Sequence, residues 1–247
     1  MRILLAIDDT DNAHSRGTGE LAALIADAVL TNRWGKPGFV TRHQLLVHPD
    51  IPYTSHNSAM CFPAEIPEGS LDQVVRFACD FLERECAEGS DPGLCVAVPD
   101  RIGSTADLIA FGRQAKLQVL DKEQALNLAR RLGIHLSEHG GTGHGIIGAL
   151  AGVGLRLWGN DGRMRGSLAG VLPGQRLRVR ELLDQPDVDA VQTADGSAPD
   201  EEESVLIGDK PKTVMRDGLS VLLVCAAVDD GGTPAWHTLP RKLLRDY

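Results

Sequence analysis

Three aspartates, Asp8, Asp9 and Asp11, close a short apolar run that starts at Arg2 and reads RILLAID. Carboxylates this close repel one another, and a cation relieves the repulsion. Magnesium suits such a cluster because it takes one or two carboxylates and completes its shell with water or phosphate oxygens. Alternation along an extended backbone sends Asp8 and Asp9 to opposite sides and lets Asp9 and Asp11 share one. At most two of the three are therefore expected to touch one ion directly, with the third orienting the loop. A turn in which Asp side chains cap backbone amides is the plainer alternative, but one turn needs only one such cap.

The loop that follows, NAHSRGTGE, supplies Arg16 for anion contact, Gly17 and Gly19 for close backbone approach, and Thr18 with its hydroxyl at the start of a helix. Helix starts attract phosphate because their first N–H groups are unpaired and carry partial positive charge. Thr18 serves equally well as a plain N-cap. A second glycine loop, HGGTGHG over 139–145, also runs into a helix but lacks the Lys-Ser/Thr ending of a Walker loop. Taken alone it reads as a packing turn. Paired with the first loop it makes a nucleotide between the two credible.

The surrounding elements follow from periodicity. Residues 2–8 read as a buried strand, and 18–30 as a helix with Leu21, Leu24, Ile25, Ala28 and Val29 on one face. Segments 38–49 and 57–66 read as strands joined by the turn PDIPYTSH, and Leu71 to Leu82 as an amphipathic helix. LCVAV over 94–98 is a further strand, and STAD and DKEQ have capping-box form, each opening a helix. The alternation predicts an α/β domain over 1–156. Beyond it, RLRVR (176–180), VDAVQT (188–193), ESVLIG (203–208) and LSVLLVCAAV (219–228) predict a smaller β-rich element over 157–247.

The charge of −9 excludes broad, sequence-independent binding to nucleic acid, which needs clustered Lys and Arg. Part of it sits in DGSAPDEEES (195–204), read as a solvated loop. No apolar run reaches the length of a membrane helix, so no membrane partner is expected and the chain is read as cytoplasmic. Five cysteines without C-x-x-C spacing are expected to be reduced core thiols, and no H-x-x-x-H on a helix or G-x-S-x-G elbow occurs. Homo-oligomer formation is left open.

Four ordered segments, AIDDTD with RGT, LVHPDIPYTSHNSA (46–59), SDPGLCVAV (90–98) and GHGIIGALAGVGL (143–155), resemble the kinase-like domain of archaeal tRNA-Ile agmatinylcytidine synthetase. The resemblance covers roughly the first 155 residues and implies a kinase-like α/β fold that uses ATP and magnesium. It implies that Asp8, Asp9 and Asp11 handle magnesium and the ATP phosphates and that Thr18 takes part in phosphate transfer. It also implies that Asn57, Gly143 and Gly145 belong to the nucleotide site. The chain departs from the family in having Gly19 after Thr18 rather than a second threonine, and Ser55-His56-Asn57 in place of Arg-Gly-Asn. Counterparts of the family's OB and zinc-ribbon modules are not expected after residue 156.

The leading expectation is an ATP- and Mg-dependent phosphotransferase or ligase-like enzyme, a transferase or ligase of tRNA-modification type. Its acceptor is an unidentified small molecule or RNA. Arg16, Gly17 and the glycine loops would bind phosphate oxygens. A non-catalytic nucleotide-binding regulatory module is the alternative of another class. An aspartyl-phosphate phosphatase fits less well, because Ala13 stands where that chemistry expects Thr or Val.

Overall fold

The computed structural model describes residues 1–51, 57–228 and 234–246, and the chain divides into two compact units, Met1–Trp158 and Gly159–Tyr247. The first unit is built on β1 (Arg2–Asp8), β2 (Lys36–Pro37), β3 (Thr41–Gln44), β4 (Ser58–Glu65), β5 (Gly93–Ala97) and β6 (His135–Glu138). Its helices are α1 (Thr18–Thr31), α2 (Leu71–Glu85), α3 (Thr105–Gln114), α4 (Lys122–Leu132) and α5 (Gly145–Trp158). The strands lie in the order β6-β5-β1-β4-β3, with β2 also on β4, and each of these pairs is antiparallel. The C-terminal end of β1 therefore lies beside the N-terminal ends of β4 and β5.

β1 is the centre of two cores. Ile3, Leu5 and Ile7 face Leu21, Ile25 and Val29 of α1 and Val74, Ala78 and Leu82 of α2. Leu4 and Ala6 face the other way, onto Leu108 of α3, Leu128 of α4 and Ile146 and Leu150 of α5. The period-2 alternation thus carries Asp8 to the α5 side. Both predicted caps are present: Ser104 accepts from the Asp107 N–H, and Asp121 forms a reciprocal box with Gln124. α4 closes on Gly133 in the left-handed conformation with Arg130 and Arg131 in its last turn, which complements the helix dipole.

α5 is buried along most of its length and apolar except for Arg156 in its last turn, which bonds the Thr41 hydroxyl at 3.0 Å, as suits a helix enclosed by other elements. Its glycines let it approach its neighbours closely. A Cβ at Gly154 would stand 2.2 Å from the Leu108 carbonyl oxygen of α3.

The second unit carries β7 (Arg163–Met164), β8 (Arg176–Arg178), α6 (Val179–Leu183), β9 (Ala190–Gln192), β10 (Ser204–Leu206), β11 (Thr213–Arg216), β12 (Leu219–Val228) and β13 (Pro234–Thr238). β11 and β12 form a hairpin through Asp217-Gly218, both at positive φ, the turn that Asp-Gly favours between twisted strands. The strand expected over 176–180 stops at Arg178, because Glu181 reaches back to the Arg178 N–H at 2.7 Å and starts α6. The strand expected over 188–193 shortens to Ala190–Gln192. Pro52–His56, within the expected PDIPYTSH turn and including Ser55 and His56, lies outside the described residues. So does 229–233.

Gly154→Ala is expected to push α3 from α5 and cost about 1–3 kcal/mol, read as a lower urea midpoint at unchanged slope. Gly69→Ala, where a Cβ meets nothing within 4 Å, is the control and should leave the midpoint in place.

Candidate functional site

A cavity of about 680 Å³ opens where the end of β1 meets the starts of α1, β4 and α5. That is ample for a nucleotide-sized ligand. Asp8, Asp9, Asp11, Gly17, Thr18, Asn57 and Gly145 all line it. The expectation that alternation separates Asp8 from Asp9 is corrected: β1 ends at Asp8, and Asp9 takes a left-handed φ of 51°, so all three acids reach one cavity.

Asp8 is 8 % exposed and lies under the first turns of α5, where a Cβ at Gly148 would fall 1.6 Å from its Oδ2. Only glycine leaves room for the carboxylate. Burial, then the charges of Asp9 and Asp11, push its pKa up to about 8. Asp9 is pushed up to about 6 by burial, then by the charges of Asp91 and Asp11. Neither has a cationic partner among the described residues. Thr18, 6 % exposed, donates its hydroxyl to Asp11 Oδ1 at 3.2 Å.

The two helix starts differ. α1 begins at Gly17 without a side-chain cap and opens into the cavity. At α5 a residue that sequence reasoning missed, Asp91, takes the amides. Its Oδ1 accepts from the Gly143 N–H, its Oδ2 from the His144 N–H at 3.1 Å and from the Thr142 hydroxyl, and its backbone carbonyl from the Gly145 N–H at 3.1 Å. The same residue donates its own N–H to the Asp9 carbonyl at 3.1 Å. The glycine loop is thus already capped by a carboxylate of the chain. The only sequence signal for it was an Asp before Pro-Gly and a strand.

Among the other expected site residues, Arg16 pairs with Glu85 of α2 and is not part of the cavity wall. Gly143 also stays outside it, in a turn at φ 78° braced by Lys122, which bonds Glu138 at 2.6 Å and the Thr142 carbonyl at 2.9 Å. Asn57 lines the cavity while tying the start of β4 to the Leu46 carbonyl at 2.6 Å. Arg42 of β3, beside Ser58 at 3.0 Å, brings a basic group that no motif marked, because a lone arginine in a strand carries no pattern.

These residues fit magnesium through the hard carboxylate oxygens of Asp8 and Asp9, which line one cavity and have no ion pair among the described residues. No group of three His, Cys, Asp or Glu among the described residues is arranged to hold an ion alone, so ligand oxygens and water must complete the shell. Among the described residues no helix is long and apolar enough to cross a membrane.

The raised pKa values set a pH dependence. Asp8 and Asp9 titrate at about pH 3.9 when unfolded, so the stability they contribute is full below that value and is lost as pH rises through about 6 and then about 8. Thermal unfolding of the metal-free protein should therefore show a melting temperature that falls between about pH 5 and pH 8. Asp8→Asn should flatten that fall, and parallel slopes for the two proteins would contradict the assignment.

No family model matches the chain. The isoleucine-tRNA agmatinylcytidine synthetase TiaS of Pyrobaculum neutrophilum is 33 % identical over 161 residues, which make up 62 % of this chain and 35 % of that protein. The chain thus spans about a third of the length of that relative. The crystal structure of a tRNA fluorescent labeling enzyme matches with TM-score 0.55 and 30 % identity over 62 % of this chain and 36 % of the other. The complex of TiaS with an isoleucine tRNA and ATP matches with TM-score 0.57 and 25 % identity over 82 % of this chain and 50 % of the other, a share that runs beyond Trp158. Sequence and fold agree that this chain is related to the agmatinylcytidine synthetases of isoleucine tRNA over part of their length.

Proposed function

We propose that the Met1–Trp158 unit binds Mg·ATP in this cavity and is the ATP-consuming core of a phosphotransferase or ligase-like enzyme acting on an RNA or small-molecule acceptor. The observation that carries the reading is the uncapped start of α1, with Thr18 at its first position, opening beside three carboxylates that have each other's charge to contend with. Relatedness to ATP-dependent synthetases supports it.

Each residue then has a physical task. The free N–H groups at the start of α1 bind phosphate oxygens, where the helix dipole favours negative charge. Asp8 and Asp9 provide hard oxygen ligands, and the ion they hold would offset phosphate charge as it builds up. Asp11 accepts the Thr18 proton, which makes the Thr18 hydroxyl oxygen a better nucleophile or a fixed dipole toward the outermost phosphate. The buried floor beneath α5 excludes water and strengthens every electrostatic contact above it. Catalysis of this kind is positioning together with charge neutralisation.

Titration calorimetry should show Mg·ATP binding by the intact chain. Asp8→Asn and Asp9→Asn should each lower ATP turnover on the order of 10²-fold or more, read as released ADP, AMP or phosphate. Unchanged consumption by both variants would remove the mechanism. Thr18→Ala should keep nucleotide binding and lose phosphoryl transfer. A protein that is stabilised by Mg·ATP yet releases no product would be a binding module instead.

A further inference from the structure

His144 has no part in holding phosphate or metal, yet it lines the same cavity with its side chain 58 % exposed. Its Nδ1 is hydrogen-bonded to the Thr142 hydroxyl, and that hydroxyl is also hydrogen-bonded to Asp91 Oδ2. A hydroxyl has one proton to give. Asp91 accepts at both oxygens, from the Gly143 and His144 backbone N–H groups as well as from Thr142. A carboxylate that only accepts takes the threonine proton, so the Thr142 oxygen faces the imidazole as an acceptor. Nδ1 must then carry the ring proton, and a neutral imidazole protonated at Nδ1 has its lone pair at Nε2. No described residue hydrogen-bonds Nε2.

We propose that His144 Nε2 is the proton acceptor for the nucleophile entering this cavity, a hydroxyl or amine, and that Thr142 and Asp91 are positioning residues that set its tautomer. This rests on the Mg·ATP reading for its chemistry, but the tautomer does not. In the step assigned to it, the nucleophile's oxygen or nitrogen forms a bond to phosphorus while the phosphorus–oxygen bond to the leaving group breaks, the leaving oxygen keeping that electron pair. The nucleophile's proton moves to Nε2 and passes from the exposed ring to water. Asp11 already serves the Thr18 hydroxyl at 3.2 Å, so the two protons that a two-stage transfer must move have separate acceptors. The arrangement follows the logic by which a base is held in one tautomer by a third group.

Long-range proton–nitrogen NMR spectra of the full chain, with His144 assigned through the signal lost in His144→Gln, should show the Nδ1–H tautomer. Thr142→Val should shift it toward Nε2–H. An Nε2–H tautomer in the parent, or no change in Thr142→Val, overturns the proposal. Diethyl pyrocarbonate should acylate His144 in a way that a non-hydrolysable Mg·ATP analogue blocks and magnesium alone does not. Acylation unaffected by the analogue overturns the placement of Nε2 in the ligand space. With water as the nucleophile, His144→Gln should lower kcat about 10²-fold while leaving affinity for the analogue as in the parent, and turnover equal to the parent's overturns the base role. If the parent binds no Mg·ATP, the functional reading fails, and the tautomer still judges the Asp91–Thr142–His144 relay.

Discussion

Asp91 is the tie on which the architecture of the cavity depends. Its carboxylate caps the start of α5, its carbonyl takes the first amide of that helix, and its N–H holds the carbonyl of Asp9. Breaking a helix cap costs about 0.5–2 kcal/mol, but here the loss would also release the left-handed backbone at Asp9. A non-glycine residue in that region persists only when its surroundings over-determine it. The close seating of backbone on backbone enforces the same junction: a Cβ on Gly145 would meet the Asp91 carbonyl at 2.0 Å, and one on Gly93 would meet Gly145 at 2.2 Å.

That tie divides the labour of the two glycine-bearing helix starts. One is satisfied internally by a carboxylate and acts as a fixed wall. The other has no side-chain cap and opens beside Thr18, which is where the proposed reading places the phosphate. Asp8 is pressed beneath α5 by the continuing alternation of β1, at a cost in desolvation that raises its pKa. The protein alone favours the neutral form of buried Asp8, and a cation would favour its charged form, which couples charge, binding and stability in one place.

The sequence match spans about 62 % of this chain and about a third of the relative. The structural match that reaches 82 % of the chain continues into the second unit. There the chain packs strands around a Val214, Val221, Leu223 and Leu244 core, with a single α-helix of five residues among the described residues. The three acids, Thr18, Asp91 and His144 all belong to the first unit.

Much of the first unit was legible in its residues, since β1, α1, α2 and the caps of α3 and α4 are written in local periodicity and in side chains that bond amides three positions away. The gathering of the acids and Thr18 at one cavity was legible in part, because they stand within eleven positions of one another at a strand end and a helix start. The second unit was less so: β11 and its Asp217-Gly218 turn were not anticipated although the Asp-Gly pair marks such a turn, and α6 replaced the end of an expected strand. The sequence by itself determined which charges gather at the end of β1 and most of the helices and strands of the first unit. Only tertiary structure decided that Asp9 turns back into the cavity, that Arg16 is spent on Glu85, and that Asp91 rather than a ligand caps α5. The reason is physical: each of those outcomes depends on a partner some 50 to 80 positions away, and no local period or spacing carries information over that distance.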